Sequence, residues 1–554
     1  MSEINKNEAL LPVENEKEMF EFANADKTLH DTKFETKPIS YLHDCLRRFA
    51  KNKASVVAGI IILLIVLFAI FEPLVDPKSY VTGSDYVNGY RDSVFANATP
   101  YNPLFKGTGF WDGTAVISNM KENTYNIRKL TDLENPNRPY IVELLEVNEE
   151  GGIFNKQKNY VVRVDTYAVG NLTEIISTSE YEKLLEYNEA QPDDQKVLKP
   201  LVDVNTYLEK ARAKLEAEGV DASAISQLID GTSGMKQYYQ DNPSIYFEIY
   251  PVKGSNDRYT TTYEAVLDNS GKPINIYMTD ENGDYIYAMK QNADYEVRVD
   301  YIEYYKFKNG FDPVFLFGCN SQGQDICLRL ALGCRFSLLL GIGITIINFI
   351  IGLIWGAISG YYGGTADLIM ERITDILSNV PSIIIMTIVQ IQLNNNLALN
   401  QALGAVGCIV VAFLIAFVYN GWVGVSSTTR MQFYRFKGQE YVLASRTLGA
   451  RDSRLIFKHI LPNAAGTLVT SCVLMVPSVI FSESNLSYLG IIDFSTSNIV
   501  SLGAMLNDGQ GKLSTYPHIL LFPAIVISLL MISFNLFGNG LRDAFNTSLR
   551  GSED

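Results

Sequence analysis

Residues 54–71 carry no charge at all. A helix of about 20 apolar residues is what crosses the roughly 30 Å hydrocarbon layer of a bilayer. Further long apolar runs lie at 336–360, 376–393 (with Pro381 near its start), 403–423, 468–489 and 519–537. Inside hydrocarbon no water is present to bond backbone N–H and C=O groups, so each run must satisfy its own, as a helix does. The expected fold class is an α-helical polytopic membrane protein with six transmembrane helices. A mean hydropathy of +0.05 and a net charge of −15 look like values of a water-soluble protein. They arise because two unlike parts are averaged.

Arg47, Arg48, Lys51 and Lys53 stand before the first run, and no basic residue follows it until Lys78. Basic residues stay on the cytoplasmic side, so the N-terminus is expected inside, and six crossings return the C-terminus inside. The loop between the fourth and fifth runs is then cytoplasmic. It holds Arg430, Arg435, Lys437, Arg446, Arg451, Arg454 and Lys458 against Glu440 and Asp452. A cleaved signal peptide is the rival reading of the first run, but this run begins after residue 50 and is long for one. Residues 1–39 read as a disordered cytoplasmic tail and 546–554 as a second short tail. Residues 40–75 read as an interfacial helix followed by the first span. Tyr41, Leu42, Cys45, Leu46 and Phe49 line one face of that interfacial helix.

Residues 76–316 form a long, acidic, tyrosine-rich stretch with period-two alternation, as in Ile245, Phe247, Ile249 and in Tyr295, Val297, Val299, Tyr301. That period predicts half-buried strands. Helical spacing is expected around 181–187 and 204–215. Asp268-Asn269-Ser270-Gly271 and Glu281-Asn282-Gly283-Asp284 predict hairpin turns. The whole reads as an inserted α+β extracellular domain, followed by a permease core at 317–545. Asp280, Asn282 and Asp284 alternate as in calcium loops, but an Asn-Gly turn accounts for them better. Six scattered cysteines make no disulfide framework, and four distant histidines make no metal cluster. No metal, cofactor or nucleic-acid partner is expected.

A phosphate-cradling loop needs two glycines, a lysine and a hydroxyl at fixed spacing. The nearest approach, Gly511-Lys512, has Leu513 in place of the hydroxyl and Leu506 in place of the first glycine. No nucleophile stands at a recognisable spacing from a base. The chain is therefore not expected to be an enzyme, and ATP, if used, binds other subunits.

In the basic loop, Glu440 to Gly449 reads as a short helix with a glycine stop, and the residues after it as a second helix ended before Pro462. Ala444 and Ser445 are small and share a face with Tyr441 and Leu448, which suits docking into a cleft. An ordinary helical hairpin is the alternative. This stretch resembles the coupling loop of importers of the ATP-binding cassette class, whose pattern is E-A-A-x3-G-x9-I-x-L-P. Leu443, Ala444, Ser445 and Gly449 fall on its first positions and His459, Leu461 and Pro462 on its last. Leu443 and His459 depart from the pattern.

Before the second span, Gly318, Gly323, Asp325, Arg329, Leu330, Gly333, Arg335, Ser337 and Leu338 fall on a pattern of the C-type subunits of oligopeptide and dipeptide permeases. Phe317, Cys319, Asn320, Gln324 and Leu328 depart from it. The glycine series ending Gly360-Tyr-Tyr-Gly-Gly364, Ser484-Asn-Leu-Ser-Tyr-Leu-Gly490 and Asn535–Phe545 is similar to that family as well. The resemblance implies a type I importer fold and half of a peptide-translocating pore in the bacterial cell membrane. It implies as partners a second permease subunit, two ATP-binding subunits and an extracellular substrate-binding protein. It also implies ATPase coupling through Glu440, Leu443, Ala444, Ser445, Gly449, Ala450 and Pro462.

Gly352, Gly356 and Gly360 lie on one helical stripe, where a neighbouring helix can pack closely. Glu483 and Asn485 sit within or beside the fifth span. An intramembrane carboxylate is a pore or gate candidate, and the structural alternative is that Glu483 satisfies an interrupted helix. Gln390 and Gln392 either face the route or mark the outer interface. A secondary transporter and a receptor with an outer sensory domain are the rival classes. The first would show paired broken helices and the second a cytoplasmic signalling domain.

Overall fold

The computed structural model describes residues 41–80, 84–85, 89–90, 92–150, 157–254, 256–492 and 499–545. The tails expected at 1–39 and 546–554 lie outside the described residues. The chain begins with two helices, α1 (Tyr41–Lys51) and α2 (Lys53–Val75). Between them Asn52 accepts the Ser55 N–H at 3.3 Å and so caps α2.

The stretch before the next apolar helix mixes short strands and helices. Its strands are β1 (Ser84–Asp85), β2 (Gly89–Tyr90), β3 (Thr114–Lys121), β4 (Ile141–Glu150), β5 (Gln157–Asp165), β6 (Asn171–Ser177), β7 (Leu198–Lys199), β8 (Ile249–Lys253), β9 (Tyr259–Ala265), β10 (Ala288–Gln291) and β11 (Asp294–Asp300). Its helices are α3 (Glu122–Thr131), α4 (Thr178–Ala190), α5 (Val204–Ala217), α6 (Ala222–Asp230), α7 (Met235–Asp241) and α8 (Tyr301–Asn309). Strands pair antiparallel in the orders β3-β5-β4, β10-β11-β6 with β7 also on β11, and β8-β9.

Helices fall at both expected places, and both turns form. Gly271 and Gly283 take φ of 80° and 89°, which a side chain disfavours. The Asp280 carboxylate accepts the N–H groups of Asn282 and Asp284, so its role here is to close a turn. Two strand expectations need correction. Around 245–249 the strand begins only at Ile249, with one isolated bridge from Phe247 to Asn275. On β11, period-two alternation with Val297 and Val299 places Arg298 on the outward face of a half-buried strand, yet it has no exposed surface.

The apolar helices are α9 (Ile326–Tyr362), α10 (Gly364–Ser378), α11 (Ser382–Asn395), α12 (Leu397–Gly421), α13 (Val423–Lys437), α14 (Glu440–Thr447), α15 (Asp452–Arg454), α16 (Leu461–Tyr488), α17 (Leu502–Gln510) and α18 (His518–Phe545), several of them short connectors. Five segments are long and apolar enough to cross a membrane: Lys53–Val75, Ile326–Tyr362, Leu397–Lys437, Asp452–Tyr488 and His518–Phe545. The pair α10 and α11, bent by 71°, makes a sixth if it is one span. The single helix expected at 376–393 is therefore broken. Pro381 supplies no N–H and disfavours helical geometry at Val380, so residues 376–378 close one helix and 382–393 belong to the next.

α2 packs against both α9 and α18, and so does α16. α1 is seated on α18: Cys45 is buried, and the rings of Phe49 and Phe537 meet edge-on at 5.2 Å. α9 and α13 run against each other. A Cβ on Gly352, Gly356 or Gly360 would stand 2.6, 2.3 or 2.7 Å from Trp422 O, Ser426 O and Phe433 Cβ respectively. Only hydrogen at these positions allows that approach.

The mixed stretch is joined to the bundle by backbone as well as side chains. Tyr101 N–H donates to Phe315 O at 3.0 Å, Asn97 N–H to Asn320 O at 2.8 Å and Cys319 N–H to Ala98 O at 2.8 Å. Gly323 has φ of 71°, and a Cβ there would collide with Asp92 O. Beside this joint Lys78 reaches Asp325, the N-cap of α9, at 2.6 Å and Val314 O at 2.9 Å. Burial works against the Lys78 ammonium, but the charges of Asp325 and Asp76 outweigh it and raise its pKa.

Candidate functional site

The basic loop folds as a compact exposed element. α14 ends at Leu448 with Gly449 in the left-handed region, φ 83°. Ala450 N–H donates to Ser445 O at 3.1 Å and Gly449 N–H to Arg446 O at 3.0 Å. These two bonds satisfy carbonyls that the helix end leaves free. Val442 turns inward with Tyr361, Phe433, Leu455 and Ile460. Glu440, Tyr441, Leu443, Ala444 and Leu448 face outward, and Leu448 is 88% exposed. Phe457, also exposed, adds to this apolar surface.

Pro462 does not end a helix, contrary to the expectation. α15 passes into a wider π turn, Leu455–Ile460, and on into α16, with Pro462 in its first turn. Leu461 N–H donates to Ile456 O, five residues back. In a regular α-helix the proline ring would press on the carbonyl four residues earlier, and the extra residue in the turn gives it room. His459 lies in this turn, with Nε2 3.4 Å from Ser445 Oγ and its carbonyl accepting Asn463 Nδ2 at 2.7 Å.

A polar network that the sequence reading missed supports the loop. Asp367 of α10 accepts two bonds from Arg430 of α13, at 2.6 and 2.7 Å, one from Tyr434 at 2.7 Å and another from Ser359. Tyr361 donates to Asp452 at 2.5 Å and accepts from Arg446 at 3.3 Å. Lys437 Nζ donates to Gly360 O at 2.8 Å. Asp367 and Arg430 are 63 residues apart. The only available signal was that both fall at span ends on one side of the membrane.

Glu483 is buried among hydroxyls. Ser337 of α9 donates to it at 3.1 Å, Ser487 at 3.0 Å and Ser484 at 3.4 Å. Leu502 N–H, at the start of α17, donates to Ser337 Oγ at 3.4 Å. One carboxylate thus ties three helices together. Asn485 faces outward on the same helix and is not part of this cluster. Gln390 and Gln392 lie on α11. Among the described residues no group of His, Cys, Asp and Glu is placed to hold a metal, and all six cysteines are free.

A bundle of apolar helices, with an exposed helical stub flanked by basic residues at one end, defines a multi-pass membrane protein. The family described as the binding-protein-dependent transport system inner membrane component matches residues 352–551, and the N-terminal TM domain of oligopeptide transport permease C matches 40–100. The chain is 42% identical over 234 residues to the oligopeptide transport system permease protein OppC of Bacillus subtilis (strain 168), covering 42% of this chain and 72% of that protein. It is 39% identical over 235 residues to the dipeptide transport system permease protein DppC of the same organism, covering 42% and 69%. The glutathione transport system permease protein GsiD of Pectobacterium atrosepticum is 30% identical over 264 residues, covering 48% and 81%. Among solved structures, an inward-facing MetNI methionine ABC transporter is similar at 15% identity and a TM-score of 0.31, over 39% of this chain and 94% of that one.

The chain belongs to the family of binding-protein-dependent transport system inner membrane components. It is a transmembrane permease subunit. Residues 101–351 lie outside both family matches.

Proposed function

We propose that this subunit forms half of the translocation pore of an ATP-driven peptide importer, of type I fold, in a bacterial cell membrane. Both termini are cytoplasmic, and residues 76–316 stand outside. A second permease subunit completes the pore, two ATPase subunits bind at the cytoplasmic ends, and a substrate-binding protein delivers peptide from outside. ATP hydrolysis belongs to the partners.

The observation that carries this reading is the exposed apolar face of α14, set among basic residues at the end of the bundle. Tyr441, Leu443, Ala444 and Leu448 supply that face, and Gly449 and Ala450 fix its end. ATPase movement would reach α16 through the π turn and α9 through Tyr361. Peptide as the substrate is supported by the names of the OppC and DppC relatives. Glu483 is assigned to holding the pore helices in register, and Asn485 to a surface of the neighbouring subunit. The segment 76–316 stands where a binding protein must approach and frames that approach.

The test is uptake of labelled peptide into vesicles carrying this chain, its partner permease, both ATPases and loaded binding protein. Uptake should require ATP and resist a protonophore. A Leu448→Asp, Phe457→Asp double variant should assemble with the partner permease yet lose the ATPases in pull-down, and uptake with them. Uptake that a protonophore abolishes and ATP does not drive would make the chain a secondary transporter.

A further inference from the structure

A loop near the start of the mixed segment has the composition of a membrane-interface anchor. It runs from a short 3-10 turn, Pro103–Phe105, to Trp111. Leu104 is 88% exposed and Phe110 64%, and Phe105, Lys106 and Thr108 are exposed as well. Apolar side chains this open, adjacent on one loop, call for something to cover them.

The loop's position identifies the cover. Trp111 is stacked on Phe317 at 6.1 Å and on Phe522 at 6.0 Å, and Phe317 and Phe522 stack at 4.3 Å. Phe105 and Phe110 lie against the other parts of Trp111, at 6.5 and 5.6 Å. Phe522 is four residues into α18, a membrane span, so the loop touches that span about 6 Å below its end. On α18, Leu521, Ile525, Leu529 and Ile532 face outward, a stripe at helical spacing. The loop's apolar side chains therefore stand at the end of the span, beside an outward-facing apolar stripe of that helix.

Its construction holds it there. Trp111 Nε1 donates to Leu316 O. The Asp112 carboxylate accepts Gly109 N–H at 2.7 Å and Thr114 N–H at 3.1 Å. Trp111 itself has φ of 55°, which a bulky residue rarely adopts. Trp and Tyr rings concentrate at membrane–water boundaries, where an apolar body and a polar tip are both served. Lys106 can bury its stem and present its ammonium to lipid phosphates.

We infer that the loop 103–111 enters the headgroup region of the bilayer and pins the mixed segment against the membrane surface beside α18. This rests on α18 being a span and is independent of the peptide substrate.

The experiment places a polarity-sensitive fluorophore on Cys in Leu104→Cys and Phe110→Cys variants of the full chain, with Ser270→Cys at an exposed distant turn as control. Five of the native cysteines are buried, which limits competing labelling. The protein is reconstituted in phosphatidylcholine–phosphatidylglycerol vesicles, with and without the co-expressed partner permease. Emission at 104 and 110 should shift to the blue relative to 270, and should fall when a nitroxide lipid with a shallow acyl label is added. The label at 270 should respond to aqueous iodide alone. Iodide quenching at 104 and 110 equal to that at 270 would overturn the proposal. So would shielding from both iodide and nitroxide lipid once the partner is present, because the cover would then be protein.

Discussion

Arg298 of β11 lies in the middle of the mixed segment with no solvent contact, and its two terminal nitrogens donate to Glu134 at 2.7 and 2.8 Å. Tyr277 also donates to Glu134 at 2.9 Å. Removing one member of a buried ion pair leaves the other charge uncompensated, at a cost of about 3–5 kcal/mol. Arg298→Ala should therefore make the segment a protease target at a temperature where the parent resists. Replacing both residues by Leu should recover part of that loss, and no recovery would count against the pairing argument. The Glu483 cluster makes a second prediction at this scale. Glu483→Gln keeps hydrogen-bond capacity towards Ser337, Ser484 and Ser487, while Glu483→Ala leaves their hydroxyls without it. The alanine variant should show the lower thermal midpoint in detergent, and equal midpoints would show that the carboxylate does not hold α9, α16 and α17 together. Neither pairing was legible in the sequence. Period-two alternation assigns a face to a residue but cannot see a partner 164 positions away that makes burial of an arginine tolerable.

Helices were more legible than residues because their signal is local. The long apolar runs found the spans, and the glycine stripe marked the α9 face that meets α13. What escaped was continuity: the break at Pro381, the direct passage of α12 into α13 and the π turn that carries the chain past Pro462. Each depends on how a proline or a loop is accommodated by its neighbours. The glycine stripe gives a contrast within one helix. A Cβ at 356 would meet backbone at 2.3 Å, whereas nothing lies within 4 Å of one at 343. Gly356→Ala should destabilise the solubilised permease by about 1–3 kcal/mol through overpacking, and Gly343→Ala should leave its thermal midpoint near that of the parent. At Gly449 the constraint is conformational, since no atom lies within 4 Å of the added carbon. A side chain in the left-handed region costs about 1–2 kcal/mol, and Asn tolerates it better than most. Gly449→Asn should retain more ATPase binding in pull-down than Gly449→Val. The reverse order would mean that the end of α14 is not what the partner reads.

At the scale of the whole chain, the boundary between the mixed segment and the bundle lies inside the stretch first assigned to the insertion. Phe95, Ala98, Tyr167, Ile302, Tyr305 and Phe315 share one core with residues of α9, α16 and α18. The family match to 40–100 covers Phe95 and Ala98 as well. Residues 92–101 thus act as a lid on the N-terminus of α9 that the bundle needs whatever stands above it. Tyr101 and Phe315 are hydrogen-bonded neighbours, so the chain leaves and re-enters the bundle at nearly one point. A short linker can close such a gap at small entropic cost. Replacing 103–312 by a short Gly-Ser linker should therefore leave a subunit that inserts and binds its partner permease. Replacing 80–310 should not, because it removes Phe95 and Ala98 and strips the cover from Gly323. The measurement is recovery of the partner with each deletion variant from detergent extracts. If the subunit with the shorter deletion assembles, its uptake tests the outer segment's role, and weaker apparent affinity for loaded binding protein is the expected result. Recovery of the partner at the parent level by both deletions would show that 80–102 contributes nothing to the bundle, and would return the boundary to the end of α2.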